Sequence, residues 1–301
     1  MRRFLALSRS AHGILDVALP GFAALLWLGS FPSWPVLLLS LATAAAGYTA
    51  IYALNDLLGV KTDQEKFAGA GINPGYSVEA SQLRYPLAQK LLSMRSALIW
   101  FGFWYVLALV GAYLLNPPLV AIVLAAAILE GIYCQLLKVT YWRTLVSGLV
   151  KACGPFAAVF VVQHDPSLPL LGVMLAWIML WEIGGQNIAA DWNDIEEDRR
   201  VGARTIPLAM GPRASGYLVL VTLTLAVLTS LLLPLMSPRA LGLPYLLPSA
   251  LAGWFLLLWP AWRLHRSGES CQAAALFDRA SYYPLAQLAL ITFFVIVQSS
   301  A

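Results

Sequence analysis

The sequence predicts an all-α integral membrane protein with nine transmembrane helices, and three observations predict it. Of its 301 residues, 60% are hydrophobic and only 11% are charged. Mean hydropathy is +0.74, above what a soluble domain of this length needs for its core. The apolar stretches recur at lengths near the roughly 20 residues that a spanning helix requires.

Applied along the chain, that ruler gives spans near 14–31, 35–57, 95–115, 118–137, 144–163, 168–190, 214–234, 244–263 and 281–299. Proline pairs separate odd from even spans in short, nearly uncharged loops: Pro32 and Pro35, Pro117 and Pro118, Pro166 and Pro169, Pro234 and Pro238. Of the 19 Lys and Arg residues, only Lys151 lies in the interior of a span and only Arg239 in an uncharged-type loop. The rest gather at the N-terminus and in the alternate loops, which the positive-inside rule makes cytoplasmic. The expected orientation is therefore N-terminus inside and C-terminus outside. The pI near 9.0 reads as a topology signal, since no basic module supports a nucleic-acid partner.

Cys134, Cys153 and Cys271 are scattered without CxxC spacing, and the three histidines do not cluster with them. That pattern supports neither a disulfide framework nor a zinc site. The opening "MRRFLALSRS" reads as a cytoplasmic lead-in, and the lack of a transit-like leader favours a bacterial inner membrane.

Negative charge is concentrated where the sixth span ends. The stretch "NIAADWNDIEEDRRVGARTIP" holds Asp191, Asp194, Glu196, Glu197 and Asp198, a third of the 15 acidic residues of the chain. On a helix Asp191, Asp194 and Asp198 fall within about 60° of one face, while Glu196 and Glu197 point elsewhere, towards solvent. A second cluster ends the second span in "YALNDLLGVKTDQEKF", where Asp56 and Asp63 share a face beside Asn55. "RYPLA" (Arg84–Ala88) follows the first cluster along the chain and "RTIPLA" (Arg204–Ala209) the second, either as the trace of a repeat or by coincidence.

Facing carboxylates beside a membrane interior need a cation. Hard oxygen ligands with basic residues nearby suit Mg²⁺ shared between carboxylates and a substrate's phosphates. The bland alternative is a set of solvated loop charges balanced by Arg199, Arg200 and Lys61. Two matched clusters on one side argue against it.

These two motifs carry a resemblance. "NDLLGVKTD" is similar to the NDxxDxxxD motif, and "DWNDIEEDRRVGARTIP" to the DxxDxxxD motif with its trailing G-x-R-T-x-P, of the UbiA superfamily of intramembrane prenyltransferases. The span count and the placement of motifs after spans two and six extend the likeness over essentially the whole chain. It departs at Gly59, which stands where the family usually has its middle Asp, and in the "AGAGINPG" insertion at residues 68–75.

The resemblance implies a UbiA-like bundle with a central cavity opening near the cytoplasmic face. It implies Mg²⁺ held by Asn55, Asp56 and Asp63 on one side and by Asp191, Asp194 and Asp198 on the other, gripping the diphosphate of a polyprenyl donor. The prenyl group would pass to an acceptor, most often aromatic in this superfamily. Alternatives are a non-aromatic acceptor, such as a phosphosugar or a glycerol phosphate lipid, or, from another class, an ion-coupled transporter.

Arg84, Lys138 and Arg204 are the candidate diphosphate-binding cations, each equally readable as a positive-inside anchor; Arg143 reads as an anchor only. Lys151 lies two turns into the fifth span, where a charge needs a partner or a cavity, unless it snorkels. Asn187, one turn before Asp191, is a candidate acceptor contact, as are Glu182, Glu130 and Tyr133. Helix-to-helix hydrogen bonding is an equal reading for all four. With Gly59 in the first motif the metal there loses about one ligand, and the remaining aspartates favour activity.

Overall fold

The computed structural model describes residues 1–68, 83–238 and 241–299. Of the inserted stretch at 68–75 all but the first residue lies outside the described residues, as does Arg239. Among the described residues are nine helices long and apolar enough to cross a membrane. They are α1 (Ser10–Leu28), α2 (Trp34–Phe67), α3 (Met94–Leu115), α4 (Leu119–Lys138), α5 (Arg143–Val162), α6 (Leu168–Asn193), α7 (Ile206–Met236), α8 (Gly242–Ser267) and α9 (Ser270–Val297). A short helix, Arg2–Leu7, precedes α1, and another, Ile195–Arg200, follows α6. The protein is an all-α, multi-pass membrane bundle.

Local chemistry explains where these helices start. Pro35, Pro169 and Pro207 sit in the first turn of α2, α6 and α7, where a missing N–H costs nothing and the fixed φ suits a helix. Ser93 caps α3 by accepting a hydrogen bond from the Ser96 N–H at 3.1 Å, and Ser167 caps α6 through Leu170.

Several helices run past their apolar cores. The hydropathy ruler ends the second span at 57, yet α2 continues to Phe67, 34 residues in all. At 1.5 Å per residue that is about 50 Å, well beyond a hydrocarbon layer of about 30 Å. The extension satisfies its own backbone hydrogen bonds and needs no apolar residues, so a hydropathy criterion cannot see it. It carries Asp63 and Lys66. Similarly α7 begins at Ile206 and α9 at Ser270, ahead of their apolar runs.

Successive helices pack side by side, and α1 closes the arrangement against α5 and α9. The densest core lies among α1, α6, α7, α8 and α9, where Phe22, Trp177, Trp181, Leu223, Leu257 and Tyr283 are almost fully buried. Large apolar side chains on α2 to α4, such as Leu38, Phe103 and Ile128, are exposed, as suits a surface solvated by lipid.

One irregularity positions the site. Residues Glu182–Asn187 of α6 form a π-helical turn, in which the extra residue lets side chains five apart stack on one face. Gly184 and Gly185 make it possible. A Cβ on Gly184 would stand 2.3 Å from Thr222 Oγ1, and one on Gly185 would stand 2.9 Å from Ala280 Cβ. Backbones of α6, α7 and α9 thus meet closely, while Gln186 Nε2 donates to Phe277 O at 3.3 Å and ties the turn to α9.

Gly184→Val should therefore force α6 away from α7 and destabilise the protein by about 1–3 kcal/mol. Thermal unfolding in detergent checks this; an unchanged midpoint contradicts the packing argument.

Candidate active site

A cavity of about 640 Å³ runs inside the bundle, within the range of ligand sites. Its walls are apolar over much of their length, with Val36, Ile51, Leu119, Ile122, Val161 and Leu288 among them. One end differs sharply. There the ends of α2 and α6 bring Asp63, Asp191, Asp194 and Asp198 to the same wall as Arg9, Lys66, Arg84 and Arg143.

Three of these acids, Asp191, Asp194 and Asp198, are paired with cations, as is neighbouring Asp56. Arg84 Nη2 donates to Asp194 Oδ2 at 2.5 Å, and Arg143 Nη2 to Asp191 Oδ1 at 2.6 Å. Lys66 Nζ lies 2.7 Å from Asp198 Oδ1, and Arg9 Nη2 3.5 Å from Asp56 Oδ1. Aromatic rings hold the guanidinium groups: Arg84 lies 4.7 Å from the Tyr85 ring centroid and Arg143 4.6 Å from that of Tyr133. Two non-glycine residues here adopt left-handed backbone, Arg9 at φ 44° and Tyr85 at φ 55°. Such conformations cost energy and persist where the surroundings enforce them, often at functional sites.

Outside the spans, electrostatics separates two of the acids. Burial raises the Asp194 carboxyl, but Arg84 and Lys66 overcome it and hold the group below its ordinary value. The folded value being depressed, this contribution to stability is present above the ordinary carboxylate range and is lost as pH falls through the depressed value. For Asp198 burial prevails over Lys66 and the carboxyl is raised. Its contribution runs the other way, present below the ordinary value and lost as pH rises through the folded one. Burial also lifts the Tyr85 phenol to about 12, so it stays neutral.

The structure sorts the residues singled out from the sequence. Asp63, Asp191, Asp194 and Asp198 share the cavity wall with Asn55, Arg84, Lys151 and Asn187. Asp56 does not; it is 3% exposed and sits behind the wall next to Arg9, which lines it. Asn55 accepts from Arg9 at 3.2 Å and donates to Glu130 Oε1 at 2.6 Å, so its carbonyl oxygen is already in use. Lys138 and Arg204 lie off the wall. Lys138 pairs with exposed Glu65 at 2.7 Å, and Arg204 donates to Val139 O at 3.2 Å, also exposed. Both end where the chain leaves α4.

Two readings from the sequence change. Arg143, expected to be an anchor, is buried on Asp191, because the start of α5 tucks under α6. Glu197, expected in solvent, is 2% exposed with Arg84 Nη1 4.0 Å away. The helix breaks at Asp194, and the short segment that follows rolls Glu197 inward.

Arg9 and Lys66 were missed. Lys66 had a readable signal in its spacing of three from Asp63, whereas Arg9 had none, being one basic residue in a basic lead-in. A third group missed is a polar network deeper in the cavity. Lys151 Nζ donates to Asp16 Oδ2 at 2.8 Å and to Tyr52 OH at 3.1 Å, while Tyr52 donates to Asp16. The snorkelling reading of Lys151 fails, since its ammonium is held inside.

Gly59 lies on the wall. A Cβ there would stand 2.9 Å from Asp63 Oδ2, so the Asp63 carboxylate leans over the space that a side chain at 59 would enter.

The donor set fits a hard divalent cation. Among the described residues no three carboxylate, His or Cys side chains are gathered closely enough to hold an ion alone. Mg²⁺ does not need that, since it keeps several waters and takes one or two carboxylates together with phosphate oxygens.

The model of the UbiA prenyltransferase family matches residues 17–291. A digeranylgeranylglyceryl phosphate synthase from Methanococcoides burtonii is 27% identical over 234 residues, covering 76% of this chain and 79% of that protein. The apo structure of a UbiA homolog from Aeropyrum pernix K1 superposes with TM-score 0.73 at 18% identity, covering 96% of this chain and 98% of that one. A UbiA homolog from Archaeoglobus fulgidus bound to DMAPP and Mg²⁺ superposes with TM-score 0.68 at 16% identity, over 96% of this chain and 99% of that one.

Because the Arg84–Asp194 pair is buried, Arg84→Gln should cost about 3–5 kcal/mol by stranding the carboxylate. Adding Asp194→Asn should recover part of that loss. Thermal unfolding of the single and double variants tests this, and simple additivity would deny the pairing.

Proposed function

The chain belongs to the UbiA prenyltransferase family, and on that premise we propose that it transfers a geranylgeranyl-type group from its diphosphate to the free hydroxyl of a glycerol phosphate lipid. The observation that carries this reading is the division of one cavity into a charged end and a long apolar remainder. A polyprenyl diphosphate has the same division. Family membership leaves the ion-coupled transporter without support. The name of the Methanococcoides burtonii relative favours a glyceryl phosphate acceptor over the aromatic one expected from the sequence.

In this reading Asp63, Asp191, Asp194 and Asp198 hold Mg²⁺, with Asp56 supporting from behind the wall. The bound ion supplies positive charge to the diphosphate as it departs. Arg84, Arg143, Lys66 and Arg9 turn from the carboxylates towards phosphate oxygens and stabilise the charge that develops as the allylic C–O bond breaks. The apolar walls seat the prenyl chain and exclude water, which would otherwise intercept an allylic cation. Asn187 and Lys151 lie beyond the diphosphate on the acceptor's side. The charged end faces the cytoplasm, as the loop charges imply.

Purified protein with geranylgeranyl diphosphate, Mg²⁺ and geranylgeranylglyceryl phosphate should release diphosphate and form the diether. Asp191→Asn with Asp198→Asn should reduce transfer by about 100-fold or more, the scale of losing one electrostatic element of an active site. Transfer to a phenolic acid in place of the glyceryl lipid would refute the acceptor assignment.

A further inference from the structure

Glu182 opens the π turn of α6 and lines the cavity, 5% exposed. Ser147 Oγ on α5 donates to its Oε1 at 2.6 Å. Its other oxygen, Oε2, accepts no hydrogen bond among the described residues, and the Lys151 ammonium stands off at 4.0 Å. Lys151 is committed elsewhere, to Asp16 and Tyr52. A buried carboxylate oxygen without a donor is costly, and a ligand that supplies one accounts for it. Two further wall atoms share this condition, Asn187 Oδ1 and Tyr48 OH.

Depth gives the second argument. Glu182 lies nine residues before Asp191 on the same helix, about 13 Å at 1.5 Å per residue. That interval accommodates a phosphate group, the allylic carbon bonded to it and one attacking oxygen, in line. The other cavity acids are less suited to accept a proton. Asp191, Asp194 and Asp198 are bound to cations at the diphosphate end and Asp63 lies with them, while Glu130 Oε1 already accepts from Asn55 and Cys134; Asp16, off the wall, accepts from Lys151 and Tyr52 on Oδ2.

We propose that Glu182 is the general base of the transfer, taking the proton of the acceptor hydroxyl on Oε2; this rests on the hydroxyl acceptor proposed above. The hydroxyl oxygen forms a bond to the allylic carbon, and the bond from that carbon to the diphosphate breaks with its electron pair leaving on the diphosphate. The hydroxyl proton passes to Oε2 and returns to water when the product leaves. Ser147 from α5 fixes the carboxylate through Oε1 and leaves Oε2 without a donor. Lys151 from α5, Asp16 from α1 and Tyr52 from α2 are the remaining charged and titratable groups around it.

The test compares wild type, E182Q and E182D in lipid nanodiscs. Each is given geranylgeranyl diphosphate, Mg²⁺ and either geranylgeranylglyceryl phosphate or an analogue whose hydroxyl is made more acidic by a neighbouring fluorine. E182Q should bind the donor as wild type does yet transfer about 100-fold more slowly, the usual contribution of a positioned base. The acidified acceptor should recover part of that loss in E182Q, and E182D should retain more activity than E182Q. A merely structural role predicts neither recovery. E182Q transferring within about threefold of wild type would overturn the proposal, as would an equal deficit with both acceptors or a loss of donor binding. Failure of the acceptor reading shows separately: wild type itself would then transfer to neither hydroxyl acceptor.

Discussion

Charge compensation at low dielectric is the constraint on which the rest of this structure depends. Four carboxylates and four cations meet at one end of a bundle that is elsewhere mostly lipid-facing or apolar, apart from the network of Lys151, Asp16, Tyr52 and Glu182. An isolated ion there would cost several kcal/mol, so Asp191, Asp194 and Asp198 are each brought to a cation. The partners come from far apart in the chain: Arg9 precedes α1, Lys66 ends α2, Arg84 precedes α3 and Arg143 begins α5. Neutralising Asp191, Asp194 and Asp198 therefore fixes where three of these segments lie, and the pairing of Arg9 with Asp56 on α2 fixes the fourth. The left-handed backbone at Arg9 and Tyr85 belongs to the same requirement, since it turns the chain so that a guanidinium reaches inward.

The number of spans and the two acidic motifs were legible because they depend on local pattern. Apolar run length reports a helix in lipid directly, and Asp191, Asp194 and Asp198 at helical spacing share a face whatever surrounds them. What was not legible depends on tertiary approach. Asp56 and Asp63 have the same spacing argument, yet one is on the wall and the other behind it, because Arg9 packs over α2. Arg143 and Lys138 looked alike as basic residues near helix ends. One is covered by α6 and the other is left at the surface, a distinction that no local pattern encodes. Glu197 is turned inward by the break in the helix at Asp194, which residue spacing does not reveal. Asp16 gave no signal, since a single acid in an apolar span acquires meaning only when Lys151 from α5 is seen to meet it.

The π turn converts one helix into a graded wall. Without its extra residue, Glu182 and Asn187 would be rotated apart by about 140°, at 100° per residue. With it, α6 presents Glu182, Gln186, Asn187, Asp191 and Asp194 in succession to the cavity. Polarity rises along this wall from a hydrogen-bonded carboxylic side chain, through amides, to ion-paired aspartates. Gly184 and Gly185 hold the turn in place from behind, so packing of α6 on α7 and α9 sets the orientation of the groups in front.

The pairing of the acids also bears on how a donor enters under the proposed function. Every cation at the charged end already has a carboxylate, so a diphosphate that draws on Arg84 or Arg143 competes with Asp194 or Asp191 for the same guanidinium. Displacement alone would leave a bare carboxylate beside the incoming phosphate, two like charges at low dielectric. Asp194 or Asp191, once freed, would help to hold a divalent cation bound with the phosphate, and its charge would remove that conflict. Donor and Mg²⁺ would then be thermodynamically coupled through these ion pairs, each binding poorly without the other. The pairs thus serve the fold before the substrate arrives and set the condition for its binding.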